Sequence, residues 1–243
     1  MKPSTKRYIP PLVALLLTLS LCACTNANVA DAVTTDTSSN VASSDVATVT
    51  PTAPISFPLS LEGGAIEVDN VFRYSGTNPD AGWADATDAV ALTVRNNSAS
   101  QLTSASFSMT LTDVDTGERA EQSFTLSELP AGGVAMLIAK ENETVSNALV
   151  CTDLRLTGAV FDTPMLPEGI LVSTDGITVT LTNTSENELS NIDVYCRNVF
   201  DGTYFGGTAY KYSVEKLSSG ESAVVTADEC FLGEVAVVRV STN

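Results

Sequence analysis

The sequence predicts an all-β chain, with two tandem β-sandwich domains behind a cleavable N-terminal signal and a disordered linker. Three observations carry that prediction. From residue 59 onward apolar residues recur at every second position, the period of a half-buried strand. A block of strands occurs twice at nearly constant offset. Gly, Asn, Asp and Ser clusters punctuate the strands at short intervals, and no long 3.6-period stretch interrupts them.

Residues 1–23 read as the signal. Lys2, Lys6 and Arg7 form a positive start, and Leu12 to Leu21 (LVALLLTLSL) form an apolar run. That run is too short to cross a hydrocarbon core, which takes roughly 20 residues, and has the proportions of a secretory signal. Leu21-Cys22-Ala23-Cys24 follows. With Leu three residues before Cys24 and a small residue directly before it, the stretch resembles a bacterial lipobox. The rival Cys22 is preceded by the bulky Leu21, so Cys24 fits better. The resemblance implies cleavage between Ala23 and Cys24 and a diacylglycerol thioether on Cys24, two acyl chains that anchor stably where one does not. The alternative is an ordinary secretory signal whose cysteines are incidental.

Composition narrows the function. The signal holds three of the twelve basic residues and no acidic one, leaving nine against twenty-nine and a net charge of −20. Such a field repels nucleic acid and anionic headgroups, so neither is an expected partner. The chain has no histidine, which removes Ser-His-Asp and Cys-His catalysis and His-ligated zinc. No cofactor or metal is expected. A carboxylate pair survives in principle, yet no spacing singles one out.

The linker spans residues 24–58 and is rich in Thr, Ser, Ala, Asp and Asn, with Pro51, Pro54 and Pro58 closing it. It shows no sustained apolar alternation and buries too little surface to offset its chain entropy. As a flexible coil it would reach roughly 30 Å, holding a domain off a membrane while leaving it free to turn. Ser/Thr-rich tethers of this kind resemble those of Gram-positive lipoproteins.

Two domains follow, 59–163 and 164–243. Val90, Leu92, Val94 and Asn96, then Ser98, Leu102, Ala105 and Phe107, recur 87 residues later as Ile177, Val179, Leu181, Asn183, Ser185, Leu189, Ile192 and Val194. Asp113, Phe124, Leu126, Leu129 and Gly132 recur at offset 88 as Asp201, Tyr212, Val214, Leu217 and Gly220. The offset changes once. One extra residue inside a strand is a β-bulge, expected near Cys196 to Asn198. Within the copies, Ala105, Phe107, Met109 and Leu111 alternate with Ser106, Ser108, Thr110 and Thr112, apolar inward and hydroxyl outward. Short alternating strands in units of about 80 to 100 residues argue for immunoglobulin-like sandwiches.

The order strand, Asn-x-Ser, strand, Asp turn, strand, Leu-x-x-Gly resembles the FxLYD-type domain of bacterial surface proteins. Its naming motif falls on Met109-Thr110-Leu111-Thr112-Asp113 and on Arg197-Asn198-Val199-Phe200-Asp201. Both keep the aliphatic residue and the Asp, and both lack the leading Phe. The resemblance implies a sandwich outside the cell and no defined activity.

Candidate sites each have a plain structural alternative. Cys196 shares the inward parity of Ile192 and Val194, and Cys230 precedes the last strand. A disulfide between them would close a loop of about 35 residues and contribute on the order of 3–4 kcal/mol; the alternative is two buried thiols. Cys151 falls on the polar parity of its strand, without an evident partner. Asp113-Val114-Asp115-Thr116-Gly117-Glu118 resembles a calcium loop but lacks a third ligand and the distal Glu, so a hairpin turn fits better. Trp83, the single tryptophan, lies among Asp80, Asp85 and Asp88, where it either meets a ligand or caps a core. Tyr204 and Phe205, next to a flexible Gly206-Gly207, either bind peptide or glycan or cover the domain junction. The sequons at Asn96 and Asn183 recur as turn positions.

The expected protein is therefore a lipid-anchored, extracytoplasmic bacterial surface protein. Its expected work is non-enzymatic: interaction, adhesion or spacing, with a membrane partner through Cys24 and a protein or glycan partner through loops or edge strands. A solute-capture lipoprotein of a transport system is the alternative, and a carboxylate-based hydrolase a more distant one.

Overall fold

The structure is a computed structural model that describes residues 53–140, 149–163 and 166–242. The expected cleavage and lipidation points, Ala23 and Cys24, lie outside the described residues, as does most of the linker. Thirteen strands are described: β1 Leu59–Leu61, β2 Ile66–Asn78, β3 Ala84–Asn96, β4 Gln101–Asp113, β5 Arg119–Leu129, β6 Val134–Ile138, β7 Leu149–Asp162, β8 Ile170–Asp175, β9 Thr178–Asn183, β10 Leu189–Phe200, β11 Thr203–Leu217, β12 Ser222–Thr226 and β13 Glu234–Thr242. The described chain is all-β, with no α-helix.

Alternation produces the layers. Ala105, Phe107, Met109 and Leu111 are buried while the intervening Ser106, Ser108, Thr110 and Thr112 remain half-exposed. Each large apolar side chain taken out of water contributes about 1.5–3 kcal/mol. In the first sandwich β1-β2-β3-β6 faces β5-β4-β7 across a core that includes Leu92, Phe107, Met109 and Leu137. In the second, β12-β9-β8 faces β11-β10-β13 across Val179, Leu181, Ile192, Val194 and Cys196. The order β2-β3-β6 matches β8-β9-β12, and β5-β4-β7 matches β11-β10-β13. Ile55 and Phe57, N-terminal to β1, already pack against the first core.

The repeat extends to cross-strand partners. Leu102 opposes Leu129, Ala105 opposes Leu126 and Phe107 opposes Phe124. Their counterparts oppose in the same way: Leu189 with Leu217, Ile192 with Val214, Val194 with Tyr212. The Asn-x-Ser turn is also duplicated. Asn96 Nδ2 donates to the Ser100 and Leu129 carbonyls, while its Oδ1 accepts from the Ser98 amide and hydroxyl. Asn183 does the same with Asn187, Leu217 and Ser185.

The copies part at their Asp hairpins. In the first, β4 and β5 are joined by a loop in which Asp113 Oδ1 accepts from the Asp115 and Thr116 amides at 2.9 Å. That is the hairpin turn expected from its Asp and Gly. In the second, a two-residue turn at Asp201 and Gly202, both with positive φ, joins β10 to β11 and fits a type I′ hairpin. Four residues no longer needed for a loop sit instead inside β11. The register passes from Cys196↔Tyr210 directly to Asn198↔Phe205, so Gly206 to Ala209 loop out opposite Arg197. The ladder thus breaks where the sequence predicts a bulge, with most of the extra residues on β11 rather than β10.

Three expectations need correction. Cys196 and Cys230 are free thiols: both are fully buried and fill the second core as small apolar groups. Cys151 is not on a polar face but is buried in the first core, because the β4–β7 register shifts between Thr110 and Leu111 and reverses the parity. Gly206-Gly207 is not a flexible hairpin. A Cβ on Gly207 would overlap the Thr125 carbonyl, and one on Gly206 would strike Pro79, so these glycines permit close backbone contact.

Candidate interaction surface

The β11 bulge docks the second sandwich on the first. Asp80, in a 3-10 turn after β2, accepts from the Gly207 amide at 2.7 Å, the Thr208 amide at 3.1 Å and the Thr208 hydroxyl at 2.9 Å. Ser127 of β5 accepts from the Ala209 amide at 2.8 Å and donates to the Gly207 carbonyl. Arg197 is fully buried. Its guanidinium donates to the Ser127 carbonyl at 2.9 Å and to the Gly206 carbonyl, and lies over the Tyr204 ring, 5.2 Å from its centre. Burial draws its pKa down to about 10, against the opposing pull of Asp80. Glu128 completes the seam, accepting from Gln101 at 2.5 Å and from Arg239 at 3.1 Å.

Tyr204 and Phe205 belong to this seam. They pair in parallel with Ala135 and Met136 of β6, which fuses sheets of the two sandwiches into one seven-stranded sheet in the order β1-β2-β3-β6-β11-β10-β13. Tyr204 packs on the first core, and Phe205 meets Tyr74 edge-on at 6.0 Å. Both cover the domain junction.

Trp83 is placed differently. Asn78, itself buried, donates to the Ala139 carbonyl and accepts from the Asp80 amide, and its own carbonyl accepts from the Trp83 amide at 2.9 Å. These bonds hold Trp83 at a φ of 67°, a left-handed conformation that bulky residues seldom adopt. Its ring lies 4.1 Å from that of Phe231. Phe231 comes from the turn before β13 and is 50% exposed. That turn is clamped as well. Leu232 donates to Asn198 Oδ1, Asn198 Nδ2 donates to the Glu229 carbonyl, and the Tyr212 hydroxyl donates to the Glu229 carboxylate. Burial, followed by that bond, pushes the Tyr212 pKa up. Phe200, 55% exposed, ends β10 next to the point where Gly233 abuts the Val199 carbonyl. An aromatic pair therefore spans the junction at the surface, one ring from each sandwich.

A concavity of about 500 Å³ lies on the outer face of β5-β4-β7, lined by Ser108, Thr110, Arg119, Glu121, Asp153 and Arg155 among others. Its carboxylates are engaged locally: Thr110 donates to Glu121 at 2.8 Å, and Arg155 pairs with Asp153 at 2.6 Å. It is a hydroxyl-lined open face.

Sequence reasoning singled out Trp83 but missed Phe231, Arg197 and Asp80's role. The available signal for Phe231 was an aromatic in a second acidic loop without Lys or Arg. No signal marked Arg197, whose strand parity points it away from its own core.

No family model and no curated protein matches the chain. Among the solved structures that match is the crystal structure of red sea bream transglutaminase, at 10% identity and a TM-score of 0.22, covering 74% of this chain and 29% of that one. The chain thus spans less than a third of that protein's length.

Proposed function

We propose that the protein is a lipid-anchored, non-enzymatic interaction module displayed on the outer face of a bacterial cell membrane. The observation that carries this reading is the junction. Two copies of one sandwich are joined by a shared sheet and by Asp80, Ser127, Arg197 and Glu128, with surface aromatics at the seam. Such an arrangement suits a stiff presenter of surface on a tether. The lipobox-like Leu21-Cys22-Ala23-Cys24 supports the anchor. Among the described residues no helix is long and apolar enough to cross a membrane, so the attachment proposed is the lipid on Cys24.

Detergent phase partitioning of the expressed protein tests the anchor. The natural chain should enter the detergent phase and incorporate labelled palmitate, and Cys24→Ala should do neither. Equal partitioning of the two would defeat the anchor. Robust turnover of a panel of glycans, peptides or esters by the purified protein would defeat the non-enzymatic part.

A further inference from the structure

We infer that the concavity on the outer face of β5-β4-β7 is a binding site for a linear, uncharged glycan. This deepens the reading of the protein as an interaction module and rests on it. The first support is shape and lining. The concavity has a volume of about 500 Å³, inside the range of about 300–1,000 Å³ usual for ligand sites. Every residue that lines it is polar or charged. Such a lining gives an apolar ligand nothing to pack on and suits one that is hydroxylated throughout.

The second support is where the strand register puts donors and acceptors. Thr110 of β4 stands opposite Glu121 of β5 on one side and Asp153 of β7 on the other. Arg119 lies opposite Thr112, and Arg155 opposite Ser108, at diagonal corners of the same patch. A guanidinium only donates, an ionised carboxylate only accepts, and a hydroxyl does both. Capacity is left over on each charged group. Glu121 is engaged through Oε1, and Arg155 Nε pairs with Asp153 Oδ2, so one carboxylate oxygen of each acid and the Arg155 Nη groups stay open. Arg119 and the Ser108 hydroxyl have no hydrogen-bond or ionic partner among the described residues. A sugar hydroxyl donates and accepts at once, so it fits between an open guanidinium N–H and an open carboxylate oxygen.

The third support is charge. Two arginines cancel two carboxylates, so the lining is neutral in a chain whose net charge is −17. The field of that chain repels an acidic sugar, and the two guanidiniums oppose a basic peptide. A neutral polyol meets neither objection.

The fourth support is length. Ser104, Ser106, Ser108, Thr110 and Thr112 alternate along β4 with buried neighbours and face outward. At the rise of an extended strand that strip runs about 27 Å, long enough for several linked sugars. The repeat places Asp193 and Tyr195 where the first copy has Ser106 and Ser108, so the sandwich itself does not call for hydroxyls there.

Calorimetric titration with cellohexaose, maltohexaose and chitohexaose tests the site, using the full-length protein in a detergent without a sugar headgroup. At least one of these neutral hexamers should bind saturably, whereas a galacturonic acid hexamer and a Lys-Gly repeat decapeptide should not. Arg119→Ala should weaken that glycan by about tenfold or more, the scale of one hydrogen bond from a charged group. Its melting midpoint should match that of the natural protein, because Arg119 has no polar partner in the described fold. Ser108→Ala should weaken binding several-fold, and Lys140→Ala, which removes a cation outside the concavity, should leave it unchanged.

Failure of all three neutral hexamers to bind would overturn the inference, as would tighter binding of the galacturonic acid hexamer. Equal affinity in the natural protein and Arg119→Ala would place binding elsewhere and overturn it too. Chromatography of the titrated hexamers keeps the module reading apart. Release of shorter sugars would defeat the non-enzymatic module, whereas hexamers neither cut nor bound would defeat only the glycan site.

Discussion

At the scale of single residues, the clearest consequences come from groups that the fold keeps uncharged. Burial pushes the thiols of Cys196 and Cys230 from 9.0 up to about 12 and that of Cys151 up to about 11, and the Tyr210 phenol is raised from 10.0 to about 12. Each is an acid that holds its proton more tightly folded than unfolded. Its contribution to stability is complete below about pH 9 for the thiols and about pH 10 for the phenol, and is lost as pH rises through the folded values. Arg197 acts in the opposite sense, because its folded pKa is lowered from 12.5 to about 10 by burial. Tyr74, Tyr204 and Tyr212 are raised as well and Arg73 is lowered, so the raised acids outnumber the lowered cations and urea midpoints should fall steadily from about pH 9 towards 12. The double variant Cys196→Ala/Cys230→Ala should start lower at neutral pH, since it leaves small cavities, and should decline less steeply above pH 9. Parallel curves for the two proteins would mean that the thiols do not contribute to the alkaline loss.

At the scale of elements, the hairpin of the second copy shows how a repeated unit acquires a new contact. The first copy places its spare residues in a solvent loop after Asp113. The second closes β10–β11 with two residues and moves four into the β11 bulge, where Gly207 and Thr208 reach Asp80. Much of this region was legible in the sequence. The change of offset from 87 to 88 locates the break near Cys196, and parity places Cys196 and Tyr212 inward, because a strand repeats every two residues. The rest was not legible, for an identifiable reason. Parity reports which face of its own sheet a residue occupies. It cannot report that the outer side of β10 and β11 is covered by another domain, as happens at Arg197, or that a register shift inverts Cys151. Gly207 tests the assignment of the bulge. Its Cβ would overlap the Thr125 backbone, whereas that of Gly220, in the turn before β12, would meet nothing. Gly207→Ala should cost about 1–3 kcal/mol or more, as overpacking does. Gly220→Ala, with a positive φ and open space, should cost only about 1 kcal/mol. Equal losses in chemical denaturation would show that the close approach is unimportant.

At the scale of the whole molecule, two apolar cores meet at a seam that combines polar groups with a third apolar cluster, where Phe205 packs with Phe72, Tyr74 and Met136, and the seam determines whether the cores unfold together. Arg197 contributes to that coupling through its bond to the Ser127 carbonyl of the first sandwich. A buried cation held by two carbonyls and a ring is costly to form, and removing the matching partners is costly as well, on the order of 3–5 kcal/mol for a broken buried charge site. The Asp80 carboxylate adds three accepted hydrogen bonds across the seam, of the charge-assisted kind worth roughly 1.5–3 kcal/mol each. A coupling of that size is comparable to the total stability of a small domain, about 5–15 kcal/mol. Neither sandwich should then melt without the other. The natural protein is expected to unfold in one calorimetric transition, with calorimetric and van't Hoff enthalpies in agreement. Asp80→Ala combined with Arg197→Met removes the seam's main charged contacts while leaving both cores their apolar residues. That variant should unfold in two transitions, the second core's thiols becoming alkylatable during one of them and Cys151 during the other. Two transitions already present in the natural protein would show that the seam does not couple the sandwiches. A single transition persisting in the double variant would place the coupling in the Tyr204 and Phe205 pairing with β6 instead.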